Sequence, residues 1–323
     1  MDMLNEHAAP SVDVIIPVYK PDETFGRLLE MLKRQSMPIR KMIIMNTEKS
    51  FWDSSRYAKL PELEVHHVAK EEFDHGGTRN LGAGFSEADV MVFMTDDAVP
   101  ENEHLLARLV NALSFTGPGG EAAAVAYARQ LPAGDCRIIE RYTRAFNYPG
   151  ESRVKTAADI PTLGIKTYMA SNVCCAYRRD IYEKLGGFTA RTIFNEDMIY
   201  AARAIKAGYA VVYAADARVI HSHNLSGAGQ FHRNFDLAVS QADHPEIFEG
   251  VPSEGEGIRL VKRTAKYLVK SGHVRLVPYL VYQSGCKYAG YWLGKRYRKL
   301  PMKLVMACTM NKNYWNRKGG DKS

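Results

Sequence analysis

The first hundred residues alternate short apolar runs with stretches of helical periodicity, and no other feature restricts the possible folds so tightly. Residues 12–18 (VDVIIPV) form an apolar, β-branched run closed by Pro17 and the turn-like Lys20-Pro21-Asp22, the pattern of a buried strand. Phe25, Leu28, Leu29 and Leu32 then recur at helical spacing, and residues 41–45 (KMIIM), 63–68 and 90–94 (VMVFM) supply three further strands. Strands alternating with helices at this length predict a mainly parallel sheet covered on both faces, with ligands at the carboxyl ends of the strands. Functional residues are therefore sought directly after strands.

After a helix over residues 101–113 and an apolar run at 122–128, residues 131–167 show weak periodicity and contain Pro132, Pro149 and Pro161. That segment reads as a mobile lid or acceptor loop rather than core. Regular structure resumes at 170–177 (ASNVCCAY) and at 179–185, where Gly186-Gly187 is the stop. Asn195 is expected to N-cap a helix reaching Ala207 and ended by Gly208, and residues 210–220 return as a strand.

Thr95-Asp96-Asp97 follows the wholly apolar strand 90–94. Two adjacent carboxylates repel each other unless a cation sits beside them, and a hard divalent ion held there also binds diphosphate oxygens. A polar turn before Pro100 is the plainer alternative. Asn195-Glu196-Asp197 carries a second acidic pair. A helix dipole alone favours such acids by about 0.3–1 kcal/mol, but metal-assisted group transfer needs one acidic cluster for the ion and a separate carboxylate as base.

His221-Ser222-His223 follows the strand ending at Ile220, and alternation puts both imidazoles on one face, where one can join an ion held by Asp97. Gln230 and Arg233, three apart, share a helical face, and Arg suits a phosphate; a solvated amphipathic helix explains them equally well. In Asp74-His75-Gly76-Gly77-Thr78-Arg79-Asn80 the paired glycines let backbone approach a ligand, and Arg79 adds positive charge for phosphate. No GxGxxG follows a strand, which disfavours a dinucleotide dehydrogenase.

Composition narrows the setting. The net charge of +7 conceals sixteen Lys or Arg against one acid, Asp321, in residues 258–323, a local +15, whereas the remainder, with 27 basic and 35 acidic residues, is −8. This suggests an acidic catalytic body with a basic segment that meets something anionic. Five cysteines, no CxxC pair and a polar, acidic N-terminus without a cleavable signal suggest a reducing, cytoplasmic setting. Residues 276–293, the most apolar stretch, are interrupted by Gln283 and Lys287, so a spanning helix is not expected.

The ordered set VDVIIPVYKPD, FDHGGTRNLG, MTDDA, FNEDMIYAARAIKAGY, HSHNLS and Gln230-x-x-Arg233 resembles the family 2 glycosyltransferases, the inverting GT-A enzymes, over about residues 12–236. FDHGGTRN and HSHN are similar to the bacterial rhamnosyltransferase branch, which builds cell-surface polysaccharide from dTDP-rhamnose. The resemblance implies a GT-A mixed α/β sandwich in residues 1–250, with a nucleotide-sugar-binding half at about 10–100 and an acceptor-binding half at 101–250. Residues 251–323 would then form a basic, aromatic-rich helical extension for membrane association.

By position in the motifs, Pro17, Val18 and Tyr19 line the base pocket, Asp97 holds a divalent cation (Mg2+ or Mn2+), and Asp96 lies nearer the ribose or diphosphate. Asp197 is the implied base and Glu196 its support; His223 or His221 completes the metal shell, and Gln230 and Arg233 match a shortened QxxRW. Two departures stand out: Asn46-Thr47 replace the acid that often reads a pyrimidine, and Asn234 replaces the Trp of processive synthases. The expected partners are a nucleotide-sugar donor, a lipid-linked glycan acceptor and the anionic inner face of the cell membrane, not nucleic acid. Transfer from another nucleotide sugar such as a UDP-hexose, a binding protein without catalysis and a metal-dependent hydrolase are the alternatives. Fold analogy alone does not separate transferase from hydrolase.

Overall fold

The computed structural model describes residues 9–57, 60, 62–251 and 254–320. Among the described residues, nine strands form one sheet: β1 (Val12–Tyr19), β2 (Lys41–Thr47), β3 (Leu63–Val68), β4 (Val90–Met94), β5 (Val99–Pro100), β6 (Ala123–Leu131), β7 (Arg153–Lys155), β8 (Cys174–Arg178) and β9 (Ala210–Ile220). They run in the order β3-β2-β1-β4-β8-β6-β9-β5, with β7 also on β9.

The parallel expectation holds for β3, β2, β1 and β4. It fails beyond them, because β8 enters antiparallel between β4 and β6, and β5 and β7 pair antiparallel with β9, while β6 and β9 are parallel. This reversal has a consequence for chemistry. Antiparallel pairing of Met94 with Cys174 sets the residues entering β8 beside those leaving β4.

Alternation along β1 sends Val12, Val14, Ile16 and Val18 to one face and Ile15 to the other. The first face is covered by the helices Glu23–Lys33 and Leu105–Ala112, the second by Arg179–Lys184 and Glu196–Lys206. Asp22 starts the first helix, its carboxylate accepting from Thr24 N at 2.8 Å and Phe25 N at 3.1 Å. Leu28 is wholly buried there, and its replacement by Ala costs about 2–5 kcal/mol.

Residues 131–167 are not a loop. They form the helix Ile138–Asn147, strand β7 and a series of short helical turns between residues 157 and 168, and Tyr148, Ile165 and Tyr168 are buried beneath them. Elements this short give no full period for a sequence pattern to reveal.

Residues 254–320 are largely helical: Glu254–Lys270, Val277–Gly294, Met302–Cys308 and Lys312–Gly320. Leu268 and Leu280 bury against Ile139, while Tyr297, Val305 and Trp315 bury against Phe235 and Val239. Among the described residues, no helix is long and apolar enough to cross a membrane.

Candidate active site

The sheet's register assembles one constellation at its carboxyl edge. Thr95 N donates to Val173 O at 3.2 Å and His221 N donates to Leu131 O at 2.9 Å. Residues after β4, before β8, at the end of β6 and after β9 therefore meet.

Asp97, His221 and His223 converge on one point. The Asp97 Oδ2 atom lies 3.4 Å from His221 Nε2 and 3.3 Å from His223 Nε2, and the two Nε2 atoms are 3.1 Å apart. Ligand atoms bound about 2.1 Å from one ion stand about 3.0–3.4 Å from each other, so the spacing fits a divalent cation, and one carboxylate with two imidazoles is a metal-binding donor set. Burial by itself would raise the Asp97 carboxyl, but the His221 hydrogen bond and charge, the Thr95 hydroxyl and His223 hold it below its ordinary value. Thr95 Oγ1 donates to Asp97 Oδ1 at 2.7 Å. Gln130 Oε1 lies 3.1 Å and Arg144 Nη1 3.3 Å from His221 Nδ1, contacts that hold the ring with Nε2 toward Asp97. Asp96 points elsewhere: its carboxylate accepts from Tyr19 N at 3.3 Å, and burial pushes it up to about 6.

The second acidic pair opens the helix Glu196–Lys206. Asn195 sits in the left-handed region at φ 65° and makes no side-chain cap, so the expected N-cap is only positional. Asp197 Oδ2 accepts from Asn172 N at 3.0 Å and Oδ1 from Met198 N at 2.8 Å. Glu196 Oε1 accepts from Asn172 Nδ2 at 3.1 Å and meets Arg79 Nη1 at 3.2 Å. Burial, then the Glu196 charge, pushes Asp197 well above the ordinary carboxylate range. Burial would also raise Glu196, but Arg79, His75 and the Asn172 amide hold it down.

Arg79 is thus not an open phosphate receptor: its buried guanidinium also donates to His75 O at 3.0 Å. Gly76 likewise approaches the chain itself, since a Cβ there would collide with Thr189 O. The nucleotide end is mixed. Val18 packs in the core with Ile16 and Ile44, leaving Pro17 and Tyr19 on the other face. Tyr19 is exposed, with its ring 5.6 Å from that of Phe51, and Lys20 Nζ lies 4.8 Å from the Phe51 ring. Asn46 is fully buried, donating to Glu48 O at 3.0 Å and touching His67 Nδ1 at 3.0 Å; only its unpartnered Oδ1 remains for another contact.

Gln230 and Arg233 lie on the helix Gly227–Asp243, capped by Ser226. Gln230 is buried, and Arg233 stacks over Phe194 at 5.5 Å with its charge near Arg144 and Asp197.

Sequence reading missed the residues that join the two acidic centres. Gln130 Nε2 donates to Tyr148 OH at 2.7 Å and Ser171 Oγ at 2.9 Å, Arg144 donates to Gln130 Oε1, and Arg144 Nε meets Glu140 at 2.9 Å. Only Ser171-Asn172, a polar pair flanking an apolar strand, carried the signal that had singled out Asp96-Asp97. Phe51 carried none.

Comparison with known proteins agrees with this geometry. Residues 13–186 match the profile of Glycosyl transferase family 2. The chain is 36% identical over 309 residues to the O-antigen chain rhamnosyltransferase RfbN of Salmonella typhimurium, covering 94% of this chain and 96% of that protein. It is also 36% identical over 312 residues to the O-antigen chain rhamnosyltransferase WbaN of Salmonella anatum, with 95% and 96% covered. The Pyrobaculum calidifontis mannosyltransferase PcManGT, solved in complex with GDP-Man and Mn2+, superposes with a TM-score of 0.54 at 17% identity over 98% of this chain and 89% of that one. TarS 1–349 of S. aureus gives 0.50 at 15% identity over 90% and 91%. The chain belongs to glycosyl transferase family 2 and is a glycosyltransferase with a GT-A-like mixed α/β fold.

Proposed function

We propose that the protein transfers rhamnose from dTDP-rhamnose to a hydroxyl of a lipid-linked cell-surface polysaccharide acceptor, with inversion and with a divalent cation, Mn2+ or Mg2+. The observation that carries this reading is the separation of two acidic centres, one converging with two imidazoles and one buried with a raised carboxyl. The names of the two Salmonella relatives support the sugar and the polysaccharide.

Asp197 takes the proton from the acceptor hydroxyl as that oxygen attacks the anomeric carbon; the bond to the donor's diphosphate breaks and its electron pair leaves with the diphosphate. A base near neutral pKa suits this task. Asn172 N and Met198 N fix both Asp197 oxygens, so the carboxylate's remaining lone pairs are aimed without a rotamer search. Asp97, His221 and His223 hold the cation, which when bound neutralises charge developing on the leaving diphosphate. Because attack is direct, the product anomer is inverted.

The basic C-terminal segment supports attachment to the inner face of the membrane. Tyr288, Val281 and Trp292 are exposed on the helix Val277–Gly294, and a groove of about 650 Å3 is lined by Tyr288, Tyr291, Trp292, Lys295, Arg296 and Lys299 among others. Arg296 lies 4.3 Å from the Trp292 ring. Aromatic rings interleaved with cations suit headgroup depth, and each Lys or Arg near an anionic surface contributes about 1 kcal/mol.

Two assays test the reading. Among dTDP-rhamnose, UDP-hexoses and GDP-mannose, turnover should be fastest with dTDP-rhamnose and require acceptor; equal release of free sugar without acceptor would identify a hydrolase. The full chain should float with anionic vesicles and leave them as salt rises; recovery in the unbound fraction at low salt would refute attachment.

A further inference from the structure

Strand β7 carries a lysine that the transfer chemistry leaves unused. Lys155, the last residue of β7, pairs with Val211 of β9 and is 3% exposed. Among the described residues no carboxylate lies within ion-pair distance of it. Asp159, the acid whose charge reaches it, is taken by Arg153 Nη2 at 2.9 Å and Thr156 N at 3.0 Å. Lys155 Nζ instead donates to three neutral oxygens, Tyr127 OH at 3.3 Å, Lys166 O at 3.2 Å and Met169 O. An ammonium has three protons, so every donor is used. The Nζ also lies 4.8 Å from the Tyr127 ring centroid.

A buried cation without a counter-charge is costly, and a methionine would fill much the same space. What the lysine adds is a grip on two carbonyls, one in the turn Gly164–Tyr168 and one just after it. The chain runs on through Ala170 to Ser171, whose hydroxyl accepts from Gln130 Nε2 at 2.9 Å, and to Asn172, whose N–H donates to Asp197 Oδ2 at 3.0 Å. On the far side of that segment, Tyr177 OH donates to Asn172 Oδ1 at 2.8 Å. The stretch between Met169 and Asn172 is thus pinned at both ends, and Lys155 is the pin that precedes the base's amide.

We propose that Lys155 is a positioning residue for the base: by holding Lys166 O and Met169 O it fixes the segment that presents the Asn172 amide to Asp197. The proposal rests on reading Asp197 as the base. Lys155 itself touches no substrate and moves no proton. The Asn172 amide favours the charged form of Asp197, so loosening that amide raises the pH at which Asp197 gives up its proton.

The test compares the full chain with Lys155→Met, which keeps the apolar stem, and with the milder Lys155→Gln, which keeps a neutral N–H donor. Circular dichroism establishes that each is folded, and Lys155→Gln decides if Lys155→Met is not. Hydrogen–deuterium exchange read by mass spectrometry follows the Asn172 amide without turnover, so it does not depend on which reaction is catalysed. Exchange over residues 166–172 should quicken about tenfold or more in Lys155→Met and less in Lys155→Gln, with the helix Glu23–Lys33 unchanged. The acidic limb of kcat/KM should move up by about half a unit. The other charged and titratable groups around Asp197, namely Glu196, Arg79, Arg233, Tyr148, Tyr177 and Cys175, are the same in all three proteins. Unchanged protection of residues 166–172 would overturn the proposal whatever the limb does. Lost protection with an unmoved limb would overturn its link to the base, and Asp197→Asn then judges the base separately.

Discussion

The acids at 96–97 and those at 196–197 are alike in composition and in standing at the sheet's carboxyl edge, yet their surroundings divide them. In each pair one carboxyl is held down by its hydrogen-bond and charge partners and the other is pushed up: Asp97 below and Asp96 above, Glu196 below and Asp197 above. The partners differ in kind. Asp97 faces two imidazoles, which become metal ligands when neutral, whereas Glu196 faces a buried guanidinium that never releases its proton. Environments that separate paired acids assign their roles: the first pair is built to receive a cation, the second to keep one carboxyl charged so that its neighbour can accept a proton.

The sharpest way to break this comparison is Asp197→Asn, which keeps shape and removes proton acceptance. Turnover should fall by about 10²–10⁴-fold with the fold intact by circular dichroism; a variant near the parental rate would sink the assignment. The next effect is on stability. Arg79→Met leaves Glu196 charged and buried without its partner, at a cost of about 3–5 kcal/mol, read from denaturant midpoints. Adding Glu196→Gln should restore most of that loss, and a single variant as stable as the parent would mean that the pair does not hold the second centre together.

A smaller effect lies in pH. The base must be deprotonated, so kcat/KM falls as pH drops through the raised Asp197 value. Glu196→Gln removes the negative charge that helps raise it, and the acidic limb should move down by about one unit, equivalent to ~1.4 kcal/mol. A limb unmoved or shifted upward would show that Glu196 is not part of the base's environment.

What the chain's letters disclosed follows from these two centres. Strands β1, β2 and β4 are buried on both faces, so each is an apolar run with a clear end, and the residues at those ends, Asp96 and Asp97 among them, stood out. His221 and His223 stood out for the same reason after β9. The connection between the centres did not, because Gln130, Arg144 and Asn172 are ordinary polar residues until the antiparallel entry of β8 and the β6–β9 pairing bring them together. Arg79 and Gly76 were legible as unusual but not as to purpose: both serve internal contacts, with Glu196 and Thr189. In the C-terminal helices, aromatic residues are divided by tertiary packing, with Trp315 and Tyr297 buried and Tyr288 and Trp292 exposed. Composition alone could not sort them.

The division of labour is tested most directly by titrating a nucleoside diphosphate into Asp97→Ala and Asp197→Asn, with and without Mn2+, by calorimetry. The account predicts that Asp97→Ala loses the part of the affinity that depends on the metal, that His223→Ala loses some of it, and that Asp197→Asn retains it within about threefold while turnover collapses. Metal-dependent binding that survives in Asp97→Ala, or disappears in Asp197→Asn, would contradict it.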